Sequence, residues 1–387
     1  MRKLINIGIG VLIFLATQHI FLLTTGNLHF YNTLSDTIFK GRLGPSIVNH
    51  ENYPNRIVAA GVGQPWKLAK NYNKSVIEPE LRKQIEATNP VSFVVVYKNK
   101  LMYEEYWDEF SDATLSNSWS MAKSYISILT GIAIKEGFIT SIDDKVGKYL
   151  ETYNEGMDKN LTIKHLLTMS SGIDFGEHYM NPFGFMAKAL YGNDVKDIAL
   201  AHHVEYEPGT KWHYQGGNNL LLGLILKEAT GKTPSEYFSE KIWKPTGAEK
   251  DALWSLDKHD GYEKAYCCVF SNAKDFAKVG QLMLQKGSWN GRQILDSNYV
   301  IDAAKSINIL DRFGMNTDQY GYAWWLMNHK GNEIFYARGI NGQYTIIIPS
   351  EELVIVRLGH NRIKEKGAKH PSDVYFYIDA ALDMIKE

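Results

Sequence analysis

Apolar patterning along the chain sharpens after Pro79. Two β-rich runs in "VSFVVVYKNKLMYEEYW", residues 91–107, flank a Lys-Asn-Lys turn and predict a hairpin. Helical spacing then dominates a long middle stretch that includes "TIKHLLTM", "NNLLLGLILKEATGK" and "KDFAKVGQLMLQKG". Near the end, "EIFYARGING", "QYTIIIPS" and "EELVIVRLG" predict three consecutive strands of an antiparallel meander, and "VYFYIDAALDMI" a closing helix. Strands at both ends with helices between them specify an α+β domain. Its antiparallel sheet joins distant parts of the chain, flanked by helices, with an all-helical region inserted.

The N-terminus follows a different pattern. "MRKLINIGIGVLIFLATQHIFLLTTG" sets two positive charges before an apolar run close to the ~20 residues that a spanning helix needs. Residues 1–26 therefore read as a membrane anchor or as a cleaved signal peptide, with the basic flank left in the cytoplasm. Either reading exports the body of the chain to the periplasm or cell surface. Residues 27–75, rich in Asn, Gly, Pro and Tyr, read as an extended strap, and residues 76–387 as the main domain.

Composition narrows the partners. Lys and Arg number 42 against 43 Asp and Glu, a formal net charge of -1, which gives no reason to expect nucleic acid. The only cysteines, Cys267 and Cys268, are neighbours, and neighbours rarely reach disulfide geometry. His202-His203 lacks the matched ligand set of a metal site. Trp324-Trp325, with Tyr320 and Tyr322, reads as core packing or as the lining of an apolar pocket.

One charge is out of place. Between Ala113 and Ile134 the only Asp, Glu, Lys or Arg is Lys123, inside "NSWSMAKSYISIL". Ser120 precedes it by three residues, which puts both on one helical face. Burial disfavours the charged amine and nothing nearby in sequence neutralises it, and a neutral amine beside a hydroxyl can take its proton. The same S-x-x-K spacing occurs at Ser255–Lys258 and Ser271–Lys274. There the contexts predict a solvated loop and a helix N-cap at Ser271. Two further stretches join Ser120: "KWHYQGGNNLLLG", with Tyr214 ahead of an apolar helix, and "FYARGINGQYTIIIP", where Gly339 and Gly342 mark a close backbone approach or a tight turn.

Together and in this order, these pieces resemble the serine β-lactamase and penicillin-binding-protein superfamily. Within it they are most similar to the class C-related serine hydrolases, including 6-aminohexanoate-dimer hydrolase and related esterases. The resemblance implies a β-lactamase/transpeptidase-like fold and an acyl-enzyme on Ser120, with Lys123 and Tyr214 as acid and base. It also implies an oxyanion hole from the N–H groups of Ser120 and Ile340. Gly339 and, from the loop after "SSG", Tyr179 are the implied substrate contacts. No cofactor is needed, and the implied partner is a small-molecule ester or amide. Two departures stand out: Gly216 replaces the asparagine of the second motif, and Ala337 the cation of the third. These argue against an efficient β-lactamase and keep two alternatives open: a non-catalytic envelope binding protein, and a peptidase for D-amino-acid or cell-wall peptides.

Overall fold

The computed structural model describes residues 2–42, 44–365 and 367–386. A six-stranded antiparallel sheet forms its centre. Its strands are β1 (Pro90–Tyr97), β2 (Lys100–Tyr106), β3 (Trp325–His329), β4 (Asn332–Gly339), β5 (Gln343–Ile348) and β6 (Leu353–Gly359). The order across the sheet is β3-β4-β5-β6-β1-β2, so the C-terminal meander pairs with the early hairpin through β6 and β1, with Val356 opposite Val94. The hairpin turns at Lys98 and Asn99, both at positive φ, as a tight two-residue connection requires.

The helices that bear on the site are α1 (Arg2–Thr24), α2 (His29–Asp36), α3 (Ala122–Lys135), α4 (Gly217–Thr230), α5 (Ala273–Leu284) and α6 (Asp373–Met384). Strand alternation divides the core. Phe93, Val95, Ile346 and Ile355 face α6, whereas Val94, Val96, Val354 and Val356 face α5 and the helical region. Helix α5 lies close against the sheet at Gly280, where a Cβ would stand 2.6 Å from a Val354 methyl. Helix α3 runs through the core with every residue from Ala122 to Ala133 buried, and α4 packs beside it.

Several local expectations are corrected. The strap is not extended throughout: it opens with α2 and only later forms the strand Asn55–Val58, which pairs with Ala252–Ser255. Ser255 is not in a solvated loop but buried at the end of that partner strand, bonded to Asn55. Ser271 is not the cap of α5. It is buried opposite Ser116, and Asn272 caps the helix by accepting from the Asp275 N–H. Cys267 and Cys268 are joined, with Cα atoms 3.7 Å apart and Cys268 in left-handed backbone. That conformation is uncommon for a side-chain-bearing residue, which is why the pairing is hard to foresee.

The strap is pinned at Asp36, whose carboxylate accepts from Asn49, Tyr53 and Tyr191. Under this cluster lies Lys264, fully buried, its ammonium 3.9 Å from the centre of the Tyr53 ring. Burial lowers the Lys264 pKa to about 7, against the pull of Asp257 and Asp36. An unfolded lysine keeps its proton to a pH of about 10.4. Between pH 7 and 9 the unfolded chain therefore holds the extra proton, and folding stability rises with pH by up to about 1.4 kcal/mol per unit. Urea unfolding across this window is expected to show that rise in the wild type and a flatter profile in Lys264→Met.

Candidate active site

Ser120 sits on a 3₁₀ turn, Trp119–Met121, that leads into α3. The turn is tightly braced. Ser118 exchanges bonds with Val269, Asn117 donates to the Ile47 carbonyl, and the Asn117 side chain accepts from the Trp119 N–H. Trp119 itself is held at φ 46°, a left-handed conformation that costs a bulky residue about 1–3 kcal/mol. This aims Ser120 out of the helix and into a cavity of about 410 Å³ that Ile340, Tyr179 and Tyr266 also line.

Lys123 reaches back along the helix face. Its Nζ donates to Ser120 Oγ at 3.1 Å and to the Tyr266 carbonyl at 2.8 Å. The amine also lies 5.2 Å from the centre of the Tyr214 ring and 5.5 Å from that of Tyr266. Tyr214 is fixed by packing: its ring meets Trp325 at 5.2 Å and Tyr320 at 5.9 Å, with Trp212 behind. Part of the aromatic cluster noted in the sequence thus positions Tyr214. The phenol makes no hydrogen bond to Ser120 or Lys123 among the described residues.

Strand β4 supplies the opposite wall. At Gly339 a Cβ would meet the Ser118 carbonyl oxygen at 2.4 Å and the Trp119 Cβ at 3.0 Å. What approaches this glycine is the serine turn itself, and the contact brings Ile340 to the cavity beside Ser120. Gly339 is buried and does not line the cavity. The turn after β4 is locked from behind by the buried Arg357. Its guanidinium donates to the carbonyls of Asn341 and Gly342 at 2.8 and 2.6 Å, to Thr88, and to the Tyr377 hydroxyl.

Both departures from the motifs have a spatial reason. At Gly216 a Cβ would stand 3.1 Å from the Tyr266 Cβ and 3.2 Å from its ring, so the tyrosine fills the space of an asparagine side chain. Ala337 is buried in the core, and Arg338 points to the other face, over the Trp325 ring. No cation therefore enters from β4.

No carboxylate neighbours Lys123 in sequence, but the fold brings Glu177 close enough to feel its charge. Glu177, half-buried, accepts from the Gly217 N–H at 2.7 Å at the start of α4. Burial raises its pKa, opposed by the Gly216 and Gly217 N–H groups and by the Lys123 charge. Nothing in the local sequence marks Glu177, because its partners lie some 40 residues away along the chain. Tyr266 escaped for the same reason.

This fold around a serine and a buried lysine defines a serine hydrolase. The chain belongs to the Beta-lactamase family, whose model matches residues 81–372. It is 25% identical to the 6-aminohexanoate-dimer hydrolase of Paenarthrobacter ureafaciens over 297 residues, 72% of this chain and 75% of that one. A Bacillus anthracis structure provisionally named 6-aminohexanoate-dimer hydrolase superposes with a TM-score of 0.74 at 21% identity, covering 88% of this chain and 94% of that one. A family VIII carboxylesterase gives 0.64 at 18% identity, covering 85% and 100%.

Restoring the missing asparagine tests the packing account. Gly216→Asn is expected to lose about 1–3 kcal/mol in urea unfolding. A double-mutant cycle with Tyr266→Ala should recover part of that loss if the two side chains compete for one space.

Proposed function

We propose that the protein hydrolyses an ester or amide through an acyl-enzyme on Ser120. The observation that carries this reading is the 3.1 Å contact between Ser120 Oγ and Lys123 Nζ at a cavity wall. Lys123 takes the serine proton as Oγ attacks the carbonyl carbon. The negative charge that develops on the carbonyl oxygen is held by the N–H groups of Ser120 and Ile340, neither of which has a backbone acceptor among the described residues. Tyr214, whose ring lies 5.2 Å from the lysine amine, relays the proton to the leaving group. Water then hydrolyses the acyl-serine and restores the hydroxyl. Helix α1 is long and apolar enough to cross a bilayer, which supports an exported body held at the membrane.

A peptidase acting on carboxylate-terminated peptides is the weaker reading, because among the described residues no charged side chain lines the cavity that holds Ser120.

Mass spectrometry after a fluorophosphonate probe should find one adduct, on Ser120, absent from Ser120→Ala. Ser120→Ala and Lys123→Ala are expected to lose turnover while keeping the wild-type melting profile. Full activity in Ser120→Ala would sink the proposal. Gly339→Ala, which forces β4 off the serine turn, should cost about 10²–10³ in kcat if the Ile340 N–H is an oxyanion donor.

A further inference from the structure

We infer that the substrate of Ser120 is a membrane-resident amphiphile, a long-chain acyl ester of a polar alcohol. This rests on the hydrolytic reading above and names the substrate class for that same serine.

Three observations converge. The first is the cavity itself. At about 410 Å³ it falls within the range of small-molecule sites. Its walls include Leu34 and Ile38 of the strap and Met180, Pro182, Met186 and Leu190 of the segment packed against it. Among the described residues no charged side chain lines it, so its walls have nothing to hold a carboxylate or an ammonium and instead reward methylenes. Each one buried is worth about fourfold in binding.

The second is a polar compartment on the Tyr214 side. It holds about 300 Å³ and is lined by Asp174, Glu177, His178, His213 and Arg312 as well as Tyr214. The loop from Glu177 to Met180 divides the two spaces: Glu177 and His178 face the polar one, Tyr179 and Met180 the apolar one. The group that Tyr214 protonates is the departing alcohol, so the polar half of the substrate belongs with the charged side chains and the acyl half with the apolar chamber.

The third is the rim. Ile38, Phe39, Met180 and Phe183 are exposed, Phe39 at 76% and Met180 at 90%, and Phe183 stacks on Phe30 at 5.0 Å. Exposed apolar residues gathered at one mouth mark a contact surface. The strap helix α2 that forms this wall starts at His29, and α1, with the length and composition of a membrane span, ends at Thr24. So short a connection keeps the mouth at the surface of the membrane that takes α1, where acyl chains are presented end-on.

The reaction balances without another reactant. Ser120 Oγ bonds to the acyl carbon as the bond from that carbon to the alcohol oxygen breaks. The alcohol leaves with the serine proton, and water then releases the fatty acid and regenerates Ser120.

The test uses the full chain in vesicles of ether-linked phosphatidylcholine, which offers no ester of its own. Substrates are monododecanoylglycerol in the same vesicles, and p-nitrophenyl acetate, octanoate and dodecanoate in solution. The expected result is a kcat/KM that climbs by up to about fourfold per methylene until the chamber is full. Release of dodecanoate from the vesicle-borne ester is expected with it. Ala187→Phe and Leu34→Phe fill the chamber from two separate segments of its lining. Each should lower the dodecanoate-to-acetate ratio by about tenfold or more, the worth of about two methylenes, with Ser120 labelling by fluorophosphonate showing that the variant is folded. Equal rates on acetate and dodecanoate, unmoved by either variant, overturn the acyl chamber and leave the hydrolase reading standing. Turnover of soluble dodecanoate but not of the vesicle-borne ester overturns the membrane source. A wild-type Ser120 inert to every ester and to the fluorophosphonate defeats both readings together.

Discussion

The end of β4 must lie in contact with the turn that carries Ser120, and only a residue without a side chain allows it. The 2.4 Å that would separate a Gly339 Cβ from the Ser118 carbonyl leaves no room for adjustment, because the obstacle is backbone. Much of the architecture serves this contact. Pairing of β4 with β5 sets the height of the strand, and Arg357 ties the following turn to β6, to Thr88 and to α6. Burying a guanidinium is costly unless its donors are satisfied. Here backbone carbonyls and two hydroxyls satisfy them, so the charge becomes a rigid fastener at the back of the sheet. On the opposite side, Val269 and the strap carbonyl of Ile47 hold the serine turn in register.

Lys123 poses the second constraint. An amine buried in an otherwise apolar helix needs acceptors, and it has Ser120 Oγ, the Tyr266 carbonyl and the faces of two tyrosines. The carboxylate of Glu177 balances the region while also capping α4. Serine, lysine and capped helix thus lie within one small region of the fold.

Features of the fold set by short-range pattern were legible in the sequence. The hairpin, the closing meander and helices α3 to α6 follow from two-residue and helical periodicity, and the Ser120–Lys123 contact follows from three-residue spacing on a helix. Contacts that depend on the whole fold were not. Tyr266 meets Lys123, and Glu177 the start of α4, only after distant segments pack, so no spacing announces them. Ser255 and Ser271 look polar in sequence, yet strand pairing buries both. The bond between Cys267 and Cys268 needs a left-handed residue that composition does not reveal, and the strap's short helix is too brief to show a clear period.

Ser120, Lys123 and Tyr214 all lie between positions 81 and 372, the span of the family match, but part of the lining of the chamber beside Ser120 comes from before it, from α2 and the turn through Gly44 and Pro45. The Ser120–Lys123 pair and part of the chamber wall therefore come from separate stretches of the chain. Substitution at Leu34 or Ile38 can reshape what Ser120 meets while leaving the Ser120–Lys123 contact in place. Such a division lets the walls of the chamber change while the turn that carries Ser120 stays as it is.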